Sequence, residues 1–401
     1  MNKLITYRYE ILWTLLLISL PFSKALINIV LALSVLLCFY DMLIKRNFEF
    51  SNYKGIYVFF AGCIYLAINA FFSGGMKANE SFFKLYPIVL IGYLSFVSIP
   101  IKSISTIKKV SVIVCLSYVL TCLIRIFLQH NMVNAETFGN SAVINHLLII
   151  DRPYAGCFVL LNVMLASHVY KEVTSSVEKK FLLFTLVTLI AFLVLIAARL
   201  SLITLLALTV IYFVFYSTTT WLKKTAVLVG IPLVALFFIY ISSGLQQRLF
   251  INNDFEVFKD YEPRFVIWDA VFHIISSYSF NMFTGIGNYA RIDHLLVDFY
   301  TTIPSEEKRA YYLKETFNTH NQFFDWMLFG GMLALLLFVA FFGVLFQKIR
   351  THFTAFALVF TLILFMMFEN VFHRQVGCYL FFIYLIIALK TKEKHIMKQP
   401  F

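Results

Sequence analysis

The stretch from Phe317 to Gly331 reads FNTHNQFFDWMLFGG. His320 stands where a long hydrophilic segment ends and a hydrophobic run of membrane-spanning length begins. A histidine at such a boundary can take up a proton near neutral pH while half in water and half against a low-dielectric wall. That reading requires the rest of the chain to be membrane helix, and the composition agrees. Of 401 residues, 61% are hydrophobic and 13% charged, with a mean hydropathy of +0.83. A soluble domain has about 45–50% apolar and about 25% charged residues. Hydrophobic runs of spanning length recur along nearly the whole chain, which predicts an all-α integral membrane protein.

Twelve spans are expected, at 10–22, 24–43, 56–72, 84–100, 107–128, 153–170, 181–197, 199–216, 225–242, 322–346, 353–371 and 376–389. The first is short and the seventh and eighth almost touch, so ten or eleven remain open. With the N-terminus inside, every short inside segment carries at least two basic residues: Lys3 and Arg8, Lys108 and Lys109, Lys179 and Lys180, Lys348 and Arg350, and so on to Lys398. That is the positive-inside pattern, with both termini in the cytoplasm. The chain then divides into spans one to nine (1–242), a large periplasmic loop (243–321) and spans ten to twelve with a cytoplasmic tail (322–401). The loop's seven Lys/Arg do not upset the pattern, because long loops translocate regardless of charge. Inside it, Phe265–Ser276 has the apolar face of a helix, and the turn string TGIGN, Thr284–Asn288, follows. The net charge of +12 is spread over many short loops, which serves topology and argues against nucleic acid. The six cysteines lie in or beside apolar runs without metal or redox spacing. The basic start followed by an apolar stretch, without a small-residue cleavage site, reads as a first membrane helix.

Few polar residues are candidates for chemistry, and each has a plainer reading. His320 can be an interfacial residue capping the next helix; Asn321 beside it can hold the imidazole or bind substrate. Arg199 interrupts LVLIAARLSLITLLAL, where an arginine at mid-helix would cost about 2.5–3.5 kcal/mol on insertion scales. It either marks an outer hairpin and snorkels or faces a polar cavity. Arg264 follows Glu262 and Pro263 at a helix start, where a cation opposes the macrodipole. Local stability does not explain it, but with free backbone N–H groups it would bind an anion. In FENVFHRQVG, Glu369 and Arg374 can simply pair across a turn. Arg125, His146, Asp151, Arg152, Arg291 and His294 lie outside or near the outer face, and each reads individually as structural. No metal, Walker or GxGxxG string occurs, so no metal, nucleotide or cofactor is expected.

At these residues the chain resembles the O-antigen ligase family, within the group that also holds O-antigen polymerase-like and protein O-oligosaccharyltransferase enzymes. The resemblance rests on AARLSL, on PRFVIWDAVFHII followed by TGIGN, on HNQFFDWMLFGG, and on ENVFHRQVG, taken in order. Ala198 departs from it, since a small polar residue before the arginine would be more typical. The resemblance implies a GT-C-like membrane glycosyltransferase of the bacterial inner membrane, active at the periplasmic face in lipopolysaccharide biosynthesis. It implies a donor glycan on undecaprenyl pyrophosphate and a lipid A-core acceptor, with neither metal nor nucleotide. It assigns catalysis to His320 and pyrophosphate binding to Arg199 and Arg264, with Arg374 on a looser C-terminal pattern; Asn321 and Glu369, read from their positions, are further supporting candidates. A polymerase of the same group would use identical site chemistry on another acceptor. A transporter of the same lipid is the alternative of a different class, but no internal repeat is visible and there are only eight prolines.

Overall fold

A computed structural model describes residues 2–45, 55–97, 103–129, 141–222, 224–227, 229–230, 240 and 262–396. The described helices, in chain order, are α1 (Asn2–Phe22), α2 (Lys24–Lys45), α3 (Ile56–Ser73), α4 (Gly75–Ala78), α5 (Glu80–Val97), α6 (Ile104–Leu128), α7 (Ser141–Leu147) and α8 (Arg152–Glu172). They continue with α9 (Ser176–Leu195), α10 (Arg199–Ile211, extended by a wider turn to Tyr216), α11 (Pro263–Ile275), α12 (Tyr289–Thr301) and α13 (Glu306–Glu315). The last three are α14 (Gln322–Ile349), α15 (Phe353–Met366) and α16 (Gln375–Ile396). No strand occurs among the described residues.

Seven of these helices are long and apolar enough to cross a membrane, and the stretches Phe353–Met366 and Gln375–Thr391 are shorter apolar helices. Each expected span except the ninth coincides with a helix, whereas the ninth, 225–242, lies largely outside the described residues. The first part of the large loop, 243–261, lies outside them too. The eleventh span ends at Met366 rather than 371, and the chain then turns through a short 3-10 segment, Val371–His373.

In lipid, helices do not associate by expelling water; close packing and interhelical hydrogen bonds hold them instead. Both are present. In the middle of the bundle Ser111 Oγ donates to Asn162 Oδ1 at 2.7 Å, and Asn162 Nδ2 donates to Tyr384 Oη at 2.7 Å, joining α6, α8 and α16. Trp326 stacks on Phe338 at 4.3 Å and Phe59 at 5.9 Å, packing α14 against α3.

The tenth span corrects a simple helix expectation. It is broken at Gly331, whose backbone has φ 69°, ψ −165°. Carbonyls freed by such a break must find partners inside the protein, and the TGIGN turn supplies them. Ile286 N donates to Leu328 O and Gly287 N to Phe329 O, both at 2.8 Å, while Met332 N donates to Met282 O at 2.8 Å. Asn69 of α3 closes the arrangement, Nδ2 donating to Thr284 O at 2.7 Å and Phe329 O at 3.0 Å. The two backbones approach so closely that a β-carbon on Gly285 (φ 67°) would lie 2.6 Å from Gly331 N. The GIG and GG strings therefore belong to one interlock that pins the loop to the bundle. Gly285→Ala or Gly331→Ala is expected to cost at least about 1–3 kcal/mol in backbone strain, seen as a lowered thermal midpoint in detergent; an unchanged midpoint would show the interlock to be slack.

Candidate active site

The site lies where the large loop meets the ends of the bundle helices, and it begins with two carboxylates. Glu369 follows α15, where the chain has left the helix, and its side chain is 9% exposed. Glu262 immediately precedes α11 and is 14% exposed. Carboxylates this buried remain ionised only if charged donors meet them. Arg264 serves both: its Nη1 donates to Glu262 Oε1 at 2.6 Å and its Nη2 to Glu369 Oε1 at 2.7 Å. Its Nε donates to the Phe368 carbonyl at 3.1 Å. Arg199 Nη2 donates to the other oxygen of Glu262 at 2.7 Å. His320 Nδ1 lies 3.2 Å from Glu369 Oε2. The result is a continuous chain of alternating charge, Arg199–Glu262–Arg264–Glu369–His320, drawn from four separate segments of sequence.

The electrostatics follow from the geometry. Burial alone would raise the Glu262 carboxyl, but the charges and hydrogen bonds of Arg264 and Arg199 outweigh it and hold it below its ordinary value. Burial acts likewise on Glu369, and the hydrogen bond and charge of His320 with those of Arg264 outweigh it. Burial disfavours the charged Arg264, yet Glu369 and Glu262 together hold its guanidinium above its ordinary value. An ionised Glu369 can only accept, so His320 Nδ1 must carry the donated proton. In neutral imidazole that leaves Nε2 as an acceptor. Its side chain is 25% exposed.

Local sequence explains each placement. Arg199 opens α10 after a tight turn in which Ala197 has φ 49°, and Arg199 N donates to Ala197 O at 2.9 Å. Arg199 thus marks the turn between α9 and α10, and its guanidinium faces the Glu262 carboxylate. Ala198, the departure from that resemblance, is buried, and its methyl stands 3.0 Å from where a β-carbon on Gly156 of α8 would lie. Arg264 sits at the start of α11 as expected, because Pro263 occupies the first turn. His320 adopts φ 43°, a costly conformation for a non-glycine residue. It is held there by its neighbours: Asn370 Oδ1 accepts from Asn321 N at 2.6 Å and Thr319 Oγ1 at 3.0 Å.

Two expectations for individual residues need correction. The next helix is capped by Asn321 rather than His320: Asn321 Oδ1 accepts from Phe323 N at 2.9 Å and Phe324 N at 3.2 Å, so its side chain belongs to the cap of α14. Glu369 and Arg374 do not pair; burial takes Glu369 inward to Arg264 and His320, while Arg374 is exposed. Arg152, read as structural, is buried at the start of α8 within the field of Arg199.

Sequence reasoning missed two features. Glu262 reads as a helix-start flank, and only the fold shows it bridging two arginines. A neighbouring buried cluster surrounds Asp325, whose Oδ2 accepts from Tyr289 Oη at 2.8 Å and Gln322 Nε2 at 2.9 Å. His373 Nε2 lies 3.0 Å from Asp325 Oδ1 as an ion pair, off the line of a good hydrogen bond. Burial disfavours the His373 cation, but Asp325 outweighs it and raises the imidazole above its ordinary value. An acidic residue in the first turn of a spanning run was the available signal.

Residues 184–339 match the family model described as O-antigen ligase. That segment belongs to the O-antigen ligase family. It contains Arg199, Glu262, Arg264 and His320, whereas Glu369 lies beyond it. No curated protein matches the chain. The match and the apolar helices support a multi-pass membrane protein with a ligase- or polymerase-type glycosyl-transfer role, acting on lipid-linked glycans and glycan acceptors in general.

The carboxylates have lowered folded values, so their stabilisation is fully present above the ordinary value of 4.5 and is lost as pH falls through the lowered ones. The His373–Asp325 pair has the opposite sign, present at low pH and lost as pH rises through the raised histidine value. Acidification below 4.5, through the lowered carboxylate values, is therefore expected to release α11. Trp268, which packs 5.8 Å from Phe324, reports it by a red-shifted emission; an unchanged spectrum would contradict the assignment.

Proposed function

We propose that the protein transfers a glycan from undecaprenyl pyrophosphate to a lipid A-core acceptor at the periplasmic face of the bacterial inner membrane, without a metal. The observation that carries this reading is the Arg199–Glu262–Arg264–Glu369–His320 chain within and beside the family segment. A pyrophosphate leaving group needs donors that follow its developing charge, and guanidinium groups bind phosphate oxygens bidentately. Arg264 engages the Phe368 carbonyl, Glu262 and Glu369 through three of its five N–H donors, which leaves two for a ligand.

The acceptor hydroxyl oxygen attacks the anomeric carbon. The C1–O bond to the pyrophosphate breaks, its electron pair departs with the phosphate oxygen, and Nε2 of His320 takes the hydroxyl proton. Glu369 orients the ring through Nδ1 and stabilises the imidazolium that forms, as a carboxylate does behind other catalytic histidines. A single displacement inverts the anomeric centre. Arg199 and Arg264 hold the departing charge where other enzymes use a divalent cation.

The test is transfer by purified protein in detergent with a lipid-linked donor and a core acceptor. His320→Ala is expected to lower kcat about 10²–10⁴-fold, with Arg374→Ala near wild type and chelator without effect. Near-wild-type transfer by His320→Ala would remove the base assignment, and loss on chelation would remove the metal-free mechanism. Deletion of the gene is expected to leave full-length polymer on the lipid carrier; single repeat units there would mark a polymerase instead.

A further inference from the structure

In the structure, the two arginines proposed to hold pyrophosphate share an anion already, the Glu262 carboxylate. We propose that Glu262 is a displaceable resident anion that occupies the pyrophosphate position between Arg199 and Arg264 in the empty enzyme and returns to it to expel the product pyrophosphate; this rests on the function proposed above.

Three observations carry it. First, the geometry is that of a bridging phosphate. One carboxylate oxygen takes Arg264 Nη1 at 2.6 Å and the other takes Arg199 Nη2 at 2.7 Å. A phosphate group spanning the same two guanidiniums needs the same ground. Second, the Glu262 side chain is not built into the helix it precedes. It stands at the N-cap position of α11 but makes no capping hydrogen bond, and Pro263 sets the first turn in its place. Its departure therefore leaves the helix intact. Third, Arg264 keeps its aim when Glu262 leaves, because Nη2 remains on Glu369 at 2.7 Å and Nε on the Phe368 carbonyl at 3.1 Å. Glu369 has no such freedom, since it also carries His320. The two carboxylates thus differ in kind: Glu369 positions, and Glu262 exchanges.

The exchange solves a physical difficulty. Two converging guanidiniums without a counter-charge would repel one another in the empty site and hold a multiply charged product too tightly in the filled one. A tethered carboxylate neutralises the first state and competes in the second.

The experiment measures binding of inorganic pyrophosphate, and separately of a short prenyl pyrophosphate, to the full-length protein in detergent by calorimetry. Glu262→Gln keeps the shape and removes the charge. It is expected to bind both probes roughly tenfold tighter, and to show slower steady-state turnover while single-turnover transfer is retained. Glu262→Asp, which keeps the charge with a shorter reach, is expected to fall between Glu262→Gln and wild type and guards against a folding defect in the neutral variant. Binding by both variants that is unchanged or weaker than wild type overturns the proposal, because Glu262 would then be orienting the arginines. Tighter binding of the prenyl probe alone would assign the effect to the lipid chain and overturn it too. If Arg264→Gln leaves pyrophosphate binding unchanged, the pyrophosphate reading of the site is what fails.

Discussion

The arrangement of this molecule depends on one guanidinium placed between two buried carboxylates. Arg264 joins Glu262 to Glu369, and through them Arg199 and His320. Removing it would leave Glu262 with Arg199 and Glu369 with His320 but cut the link between them, a loss of the kind that costs about 3–5 kcal/mol when a buried pair is broken. The same bond that anchors the loop helix to the bundle therefore sets which ring nitrogen of the histidine faces the carboxylate. The atoms that stabilise the junction are those proposed for the chemistry, and the ion pairs account for charged residues in a chain that has few to spare.

Placement of that guanidinium is the work of the fold. Near the loop–bundle junction the spanning helix α14 is broken at Gly331 so that its carbonyls can bond the loop turn at Ile286 and Gly287. A lipid-exposed break of this type would leave unpaired backbone groups at a cost of several kcal/mol each. Pairing it with the loop turns that cost into a joint. The His320 turn is fixed in a similar way, by Asn370 bonded to residues on both sides of it. A strained histidine held by buried amides is fixed in direction, as the transfer proposed for it requires.

Much of this was legible in the sequence. Hydrophobic run lengths gave the helices, because a span must satisfy all its backbone groups internally. The hydrophilic-to-apolar switch after His320 marked the position where the imidazole meets Glu369, and three of the four short strings fall in the segment that matches the family model. Pro263 announced a helix start and so the place of Arg264. What the sequence hid was pairing at a distance. Glu262 looks like a helix flank until Arg199, 63 positions earlier, is folded against it. Glu369 and Arg374 are near in sequence, but burial separates them, since one side chain points into the protein and the other to solvent. Asn321 and His320 adjoin, and only backbone geometry shows which of them caps the helix.

The claim that most needs testing is that the arginine and the histidine act as one unit through Glu369. The direct measurement is a double-mutant cycle on single-turnover glycan transfer with Arg264→Ala, His320→Ala and the double variant. The expected result is that the double variant loses little more than the worse of the two single variants, since groups that work as a unit are strongly non-additive. Losses that simply multiply would show the two residues to be independent, and would contradict the charge chain as the site of transfer.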